Sequence, residues 1–74
     1  MTLIRSAKDI GREIRSRRKT LGYTQQFLAS YAGVSTSFLS ELENGKPTIQ
    51  FDKMLYISNL LGIDLFAERR DAHA

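Results

Sequence analysis

Thr36, Ser37, Ser40 and Glu41 set three hydroxyls and one carboxylate within six residues, among apolar neighbours spaced for burial. Hydroxyls on an exposed face can donate to and accept from base-pair edges, and a threonine methyl can touch a thymine methyl. Short side chains reach fewer edge atoms than Gln or Arg, so duplex shape is expected to supply part of any selectivity. Glu41 is conditional: phosphate repels a carboxylate unless it accepts from cytosine N4 or pairs with a cation. The same residue types also populate ordinary solvated helix faces. What makes them a candidate site is the frame around them. Residues 22–45 read as two short helices about a tight turn, and a helix held that way with small polar side chains leading fits a DNA major groove.

The positioning elements follow from caps, stops and apolar spacing. Helix 1 is expected over about Ala7–Leu21, opened by Ser6 with Asp9 three residues on, a pattern resembling a capping box. Ile10, Ile14 and Leu21 mark its buried stripe. Arg17 falls inside that stripe and can snorkel its stem along the core; Arg18 sits at the edge and needs a carboxylate. Gly22 suits the left-handed stop. Helix 2 opens at Thr24 and runs to about Ala32, with Leu28, Tyr31 and Ala32 on one side. Gly33 breaks it, Val34 points inward, and Ser35 caps helix 3 over about Thr36–Glu43. At 100° per residue, Leu39, Leu42 and Glu43 face in. Ser37, Ser40, Glu41 and Asn44 face out, with Thr36 at the leading edge and Phe38 between the arcs. Pro47 makes residues 46–48 a loop. Helix 4 should begin near residues 49–51 and end at Leu61, with Phe51, Met54, Leu55, Ser58 and Leu61 inward. Tyr56 and Leu60 lie on its far side, so it is apolar on more than one face. Ile63 to Phe66 continues the apolar character as an extended segment, and residues after Glu68 read as a disordered tail.

At 74 residues the chain is one small domain (1–74), near the size at which a single core barely suffices. It has no cysteine and one histidine, His73, so disulfides, thiolate metal sites and a structural zinc are excluded. Oligomerisation is the remaining source of buried area. No apolar run reaches the roughly 20 residues that cross a bilayer, and no signal-peptide core opens the chain, which reads as cytoplasmic. The net charge is +3. Before Gly22 seven basic residues face only Asp9 and Glu13, leaving +5 there and −2 beyond. That distribution suits phosphate or a solvated face equally. No nucleophile–base pair, metal cluster or phosphate-binding glycine loop is in register, so no enzyme and no cofactor is expected.

The segments Ile14-Arg15, Arg18-Lys19, Gly22, Thr24-Gln25, Leu28-Ala29, Ala32-Gly33-Val34-Ser35, Leu39-Ser40 and Leu42-Glu43-Asn44-Gly45-Lys46-Pro47 resemble the Cro/repressor (XRE-like) helix-turn-helix family. The resemblance covers about residues 10–62. It implies an all-α fold: a compact four-helix, lambda-repressor-like domain with its helix-turn-helix core at about 24–44. Within the family the chain is most similar to HipB-like antitoxin regulators, through its short length, the residue 46–48 loop and the Leu61-Gly62-Ile63-Asp64-Leu65 ending. By this resemblance Thr36, Ser37 and Glu41 read base edges with Ser40 nearby. Gln25 hydrogen-bonds a phosphate, an assignment suited to an amide at a helix N-terminus. Asn44 and Lys46 approach the DNA backbone, Lys46 mattering more because charge dominates affinity. Arg18 and Glu43 form a structural ion pair, in keeping with their inward lean. Phe27, Phe38 and Tyr31 are read as core and boundary packing rather than a stacking platform for single strands.

One recognition helix covers half a site, so the expected form is a C2 homodimer on a palindromic operator in double-stranded DNA. Its interface is expected within about residues 56–68, from Tyr56, Leu60, Ile63, Leu65 and Phe66, since an all-round apolar helix needs a second cover. The resemblance implies an autoregulating transcriptional repressor, with a HipA-like kinase toxin as partner. Two alternatives use the same residues: a free-standing phage or restriction-modification control repressor, and a protein-interaction module without DNA binding.

Overall fold

The computed structural model describes residues 1–70, which form four helices and, among those residues, no strand: α1 (Ala7–Thr20), α2 (Gln25–Ala32), α3 (Thr36–Glu43) and α4 (Phe51–Leu60). The expectations for His73 and for the last four residues of the tail lie outside the described residues. The all-α, four-helix reading is correct. Residues 63–70 carry no regular secondary structure.

Three of the four helices start on a hydroxyl cap. Ser6, Thr24 and Ser35 each hold extended backbone and accept the third N–H of the helix that follows. A cap of this kind is worth about 1 kcal/mol, which matters for two helices of only eight residues. The capping box at α1 is displaced by one residue. The Asp9 carboxylate accepts from the backbone N–H of Arg5 at 2.9 Å, not from Ser6, and also from Arg12 at 2.8 Å. The Arg5 bond, foremost, holds the Asp9 carboxyl below its ordinary pKa. Gln50 caps α4 without a side-chain bond. All four helices end alike, the residue after a left-handed glycine donating back to the carbonyl five positions earlier.

Ten residues make the core: Ile10, Ile14, Leu28, Ala29, Ala32, Leu39, Leu42, Met54, Ile57 and Leu61. Several expectations need correction. Leu21 and Tyr31 were placed inside but are exposed; Ala29 fills the position assigned to Tyr31. Phe51 is exposed and Leu55 half-buried, while Ile57, unassigned from sequence, is fully buried. The true stripe of α4 is Met54, Ile57, Ser58 and Leu61, turned by a fraction of a helical turn from the expected one. Arg18 is buried with the carboxylate partner expected of it, while Arg17, expected to run its stem along the stripe, is exposed. Phe38 is half-buried under Lys53, whose ammonium sits 5.3 Å from the ring centroid, but Phe27 and Tyr31 are not packing residues.

Two glycines let α1 and α3 meet backbone to backbone. A Cβ on Gly11 would stand 2.5 Å from the Leu42 carbonyl oxygen and 2.8 Å from that of Glu43. Gly45, at φ +79°, would place a Cβ 2.6 Å from the Lys8 Cα. The C-terminal half of α3 is therefore seated on α1 with no side chain between them, which fixes its height.

Candidate nucleic-acid interface

α3 divides as its spacing predicts. Leu39 and Leu42 are buried in the core, and Glu43 is buried beside them. Thr36, Ser37, Glu41 and Asn44 are exposed, with Ser40 half-buried between them. The four residues expected to read base edges thus share one accessible side of a helix whose opposite side is locked.

The lock is a hydrogen-bonded network around Glu43. Arg18 Nε donates to Glu43 Oε2 at 2.6 Å, and Arg18 Nη2 donates to Oε1 at 3.0 Å, a bidentate pair. Arg18 Nη1 donates to the Tyr23 carbonyl at 2.8 Å. Gln25 Nε2 donates to Glu43 Oε1 at 3.1 Å. One arginine therefore ties α1, the turn before α2, and the end of α3, while Gln25 adds the start of α2. The hydrogen bond to Glu43 raises the Arg18 pKa further above its already high ordinary value, so the guanidinium keeps its charge. Among the described residues no buried side-chain N or O atom lacks a partner, which is the condition under which a buried charge pair is tolerated. The expected Arg18–Glu43 pair is thus present. Gln25 joins it, bracing the recognition helix through Glu43. Glu43 takes one of the two protons on Gln25 Nε2, and the second remains for another acceptor at the start of α2.

The outer side has its own pairing. Lys46 Nζ lies 3.2 Å from Glu41 Oε2, both side chains about half exposed. This is the cation that a carboxylate near phosphate requires, and Pro47 follows Lys46 directly. Asn44 Nδ2 donates to Ser40 Oγ at 3.4 Å, a long bond that opens readily.

Gly11 is the positioning residue missed from sequence. Its signal was a lone glycine inside a helical pattern, which marks a close approach when it is not a stop. The residues expected at a dimer surface are dispersed over α4 and the segment beyond it. Tyr56, Leu65 and Phe66 are exposed, whereas Leu60 and Ile63 are half-buried against the core. Among the described residues no group of His, Cys, Asp and Glu is placed to hold a metal, and no helix is long and apolar enough to cross a membrane.

Comparison with known proteins agrees with this geometry. The helix-turn-helix family matches residues 14–66. The uncharacterized HTH-type transcriptional regulator y4mF of Sinorhizobium fredii is 44% identical over 71 residues, covering 90% of this chain and 93% of that one. The competence pilus inhibition repressor of Acinetobacter baylyi is 54% identical over 37 residues, half of this chain but only 34% of its own length. Among solved structures, the chain in a HipB-O4 20mer complex superposes with a TM-score of 0.83 at 20% identity, over 96% of this chain and all of that one. A chain in the structure of a HipA-HipB-O2-O3 complex gives 0.84 at 20% identity, with the same coverage. At that identity the likeness is one of fold.

Proposed function

We infer, from the premise that this chain belongs to the helix-turn-helix family, that it is a transcriptional regulator whose α3 enters the major groove of double-stranded DNA. The observation that carries the reading is the division of α3: Leu39, Leu42 and Glu43 locked inward, Thr36, Ser37, Ser40 and Glu41 turned to solvent. In this reading Thr36 and Ser37, which lead the helix, meet base edges first. Ser40 and Glu41 lie one turn further back. Glu41 accepts from a cytosine amine or remains with Lys46. Gln25, Asn44 and Lys46 hold the phosphate backbone on either side. The HipB and y4mF likenesses support this assignment.

The finer reading is an autoregulating HipB-like antitoxin that acts as a C2 homodimer through Tyr56, Leu60, Ile63, Leu65 and Phe66, with a HipA-like kinase toxin as partner. Its support is the superposition on a chain seen with HipA. A free-standing repressor is the second reading, favoured by the match to the competence pilus inhibition repressor. A kinase-like gene beside this one would decide for the antitoxin.

Selection of bound duplexes from a random pool tests the function. The expected product is an enriched palindrome with half-sites about one helical turn apart. An unenriched pool, together with salt-independent binding to random duplex, would overturn it in favour of a protein-interaction module.

A further inference from the structure

α2 and the turn before it carry an exposed aromatic row that the DNA reading leaves unused. Tyr23, Phe27 and Tyr31 recur every fourth residue, and their exposures are 37%, 51% and 68%. The rings form one surface: centroids lie 4.9 Å apart between Tyr23 and Phe27 and 6.2 Å between Phe27 and Tyr31, the latter pair nearly parallel at 11°. With Leu28 and the half-buried Leu60 of α4 they line a shallow apolar cleft.

The same chain carries an unpartnered apolar projection. Past Ile63 the backbone leaves the core, and Phe66 is 78% exposed with Leu65 beside it. The chain just before that point is fixed, because Arg17 Nε donates to the Leu61 carbonyl at 2.8 Å. Leu65 and Phe66 do not fold back onto their own cleft, although Leu60 in its wall is only a few residues away.

We propose that the Tyr23–Phe27–Tyr31 row is the receiving face for Leu65 and Phe66 of a second copy of this chain. The proposal rests on the homodimer reading given above and deepens it, since Leu60 belongs both to the cleft and to that interface. Two arguments select a second copy as the occupant. First, cleft and projection are complementary and sit on one chain, so a twofold axis satisfies both twice at once, as isologous contact requires. Second, the area fits. Four aromatic rings of the row and the projection (Tyr23, Phe27, Tyr31 and Phe66) are on average a little over half exposed. At roughly 200 Å² each they present on the order of 470 Å², more than half of the ~800 Å² per partner of a standard interface.

The absence of cysteine in the chain allows a direct test. Tyr31→Cys and Phe66→Cys variants are prepared separately, mixed, allowed to exchange and oxidised, alongside sedimentation of the unaltered protein. Both positions are exposed, so neither change removes core packing, and the helical signal of each variant checks this. The expected result is a disulfide-linked heterodimer of the two variants, with the dimer dissociation constant of Phe27→Ser raised roughly thirtyfold, as for a lost aromatic anchor. An unaltered protein that sediments as a dimer, gives no mixed disulfide and keeps its affinity in Phe27→Ser would overturn this proposal and leave the dimer reading standing. An unaltered protein that sediments as a monomer at micromolar concentration would remove both. Tight binding of single-stranded DNA that Phe27→Ser abolishes, with dimerisation unchanged, would assign the row to base stacking instead.

Discussion

α2 and α3 are built alike and finished differently. Each has eight residues, each starts on a hydroxyl cap bonded to the third N–H, and each buries three residues against the same core. Both are tied to Glu43, α2 through Gln25 and α3 because Glu43 is its last residue. Yet α3 turns hydroxyls and one compensated carboxylate outward, whereas α2 turns out Phe27 and Tyr31. Identical framing with opposite outer chemistry teaches that the scaffold sets only angle and height. The exposed side chains set the partner: polar groups for a hydrated groove, aromatic rings for a surface that sheds water.

Removing the shared frame should have the largest effect and should abolish the contrast. Glu43→Ala strands the buried Arg18 guanidinium and is expected to cost roughly 3–5 kcal/mol. Chemical denaturation of the single and double variants measures this. A double-mutant cycle with Arg18→Ala showing no coupling would contradict the account. Gly11→Ala acts at the same joint by pushing α3 off α1, at a cost of about 1–3 kcal/mol. DNA affinity should fall in proportion, although Gly11 touches no ligand.

Substitutions on the outer faces should separate the helices. Ser37→Asp places a carboxylate at the front of α3, and we expect operator affinity to fall at least about tenfold with an unchanged association state. Tyr31→Ser should do the reverse, weakening association and leaving half-site contacts intact. Titrations of both variants by anisotropy and by sedimentation check the pair. If each change damaged both properties equally, the division of labour between the helices would be wrong.

This contrast was only half legible in the sequence. The hydroxyl caps at Ser6, Thr24 and Ser35, the left-handed glycines and the bounds of α3 could be read because each is a local device whose residue type is dictated by backbone geometry. The inward lean of Leu39, Leu42 and Glu43 followed from those bounds. The outer face of α2 was not legible. An eight-residue helix spans barely two turns, so Leu28-Tyr31-Ala32 and Leu28-Ala29-Ala32 fit its apolar spacing equally. Only packing against α3 decides that small Ala29 goes in and Tyr31 stays out. In α4, Met54, Ser58 and Leu61 fit both the expected stripe and the true one, and Ile57 was lost by that small rotation. Gly11 was passed over for a different reason: a lone glycine in a helix signals a close approach, but what approaches is set by a carbonyl on another helix. Arg18 was legible, since its need for a carboxylate and the inward lean of Glu43 both follow from helical spacing, although the two lie 25 positions apart.

Smaller effects sharpen the comparison further. Thr24→Ala and Ser35→Ala each remove one cap, and each should cost about 1 kcal/mol in thermal or chemical unfolding. Ser35→Ala should weaken DNA binding the more of the two, because it loosens the leading end of α3, whereas Thr24→Ala disturbs only the phosphate contact of Gln25. Lys46→Ala should lower affinity about equally for all sequences and reduce the slope of log affinity against log salt by about 1. It also frees Glu41, so the loss should exceed that of an ordinary surface lysine. Binding measured across a salt series checks both statements.

The account stands on α3 presenting its hydroxyl-bearing side to a major groove. Chemical footprinting of a selected duplex at guanine N7, an atom displayed only in that groove, tests this most directly. We expect protection in two patches about one helical turn apart, lost in Ser37→Asp while the variant remains folded. Full reactivity at every guanine N7 in a saturated complex with a guanine-containing site, or protection that survives Ser37→Asp unchanged, would contradict it.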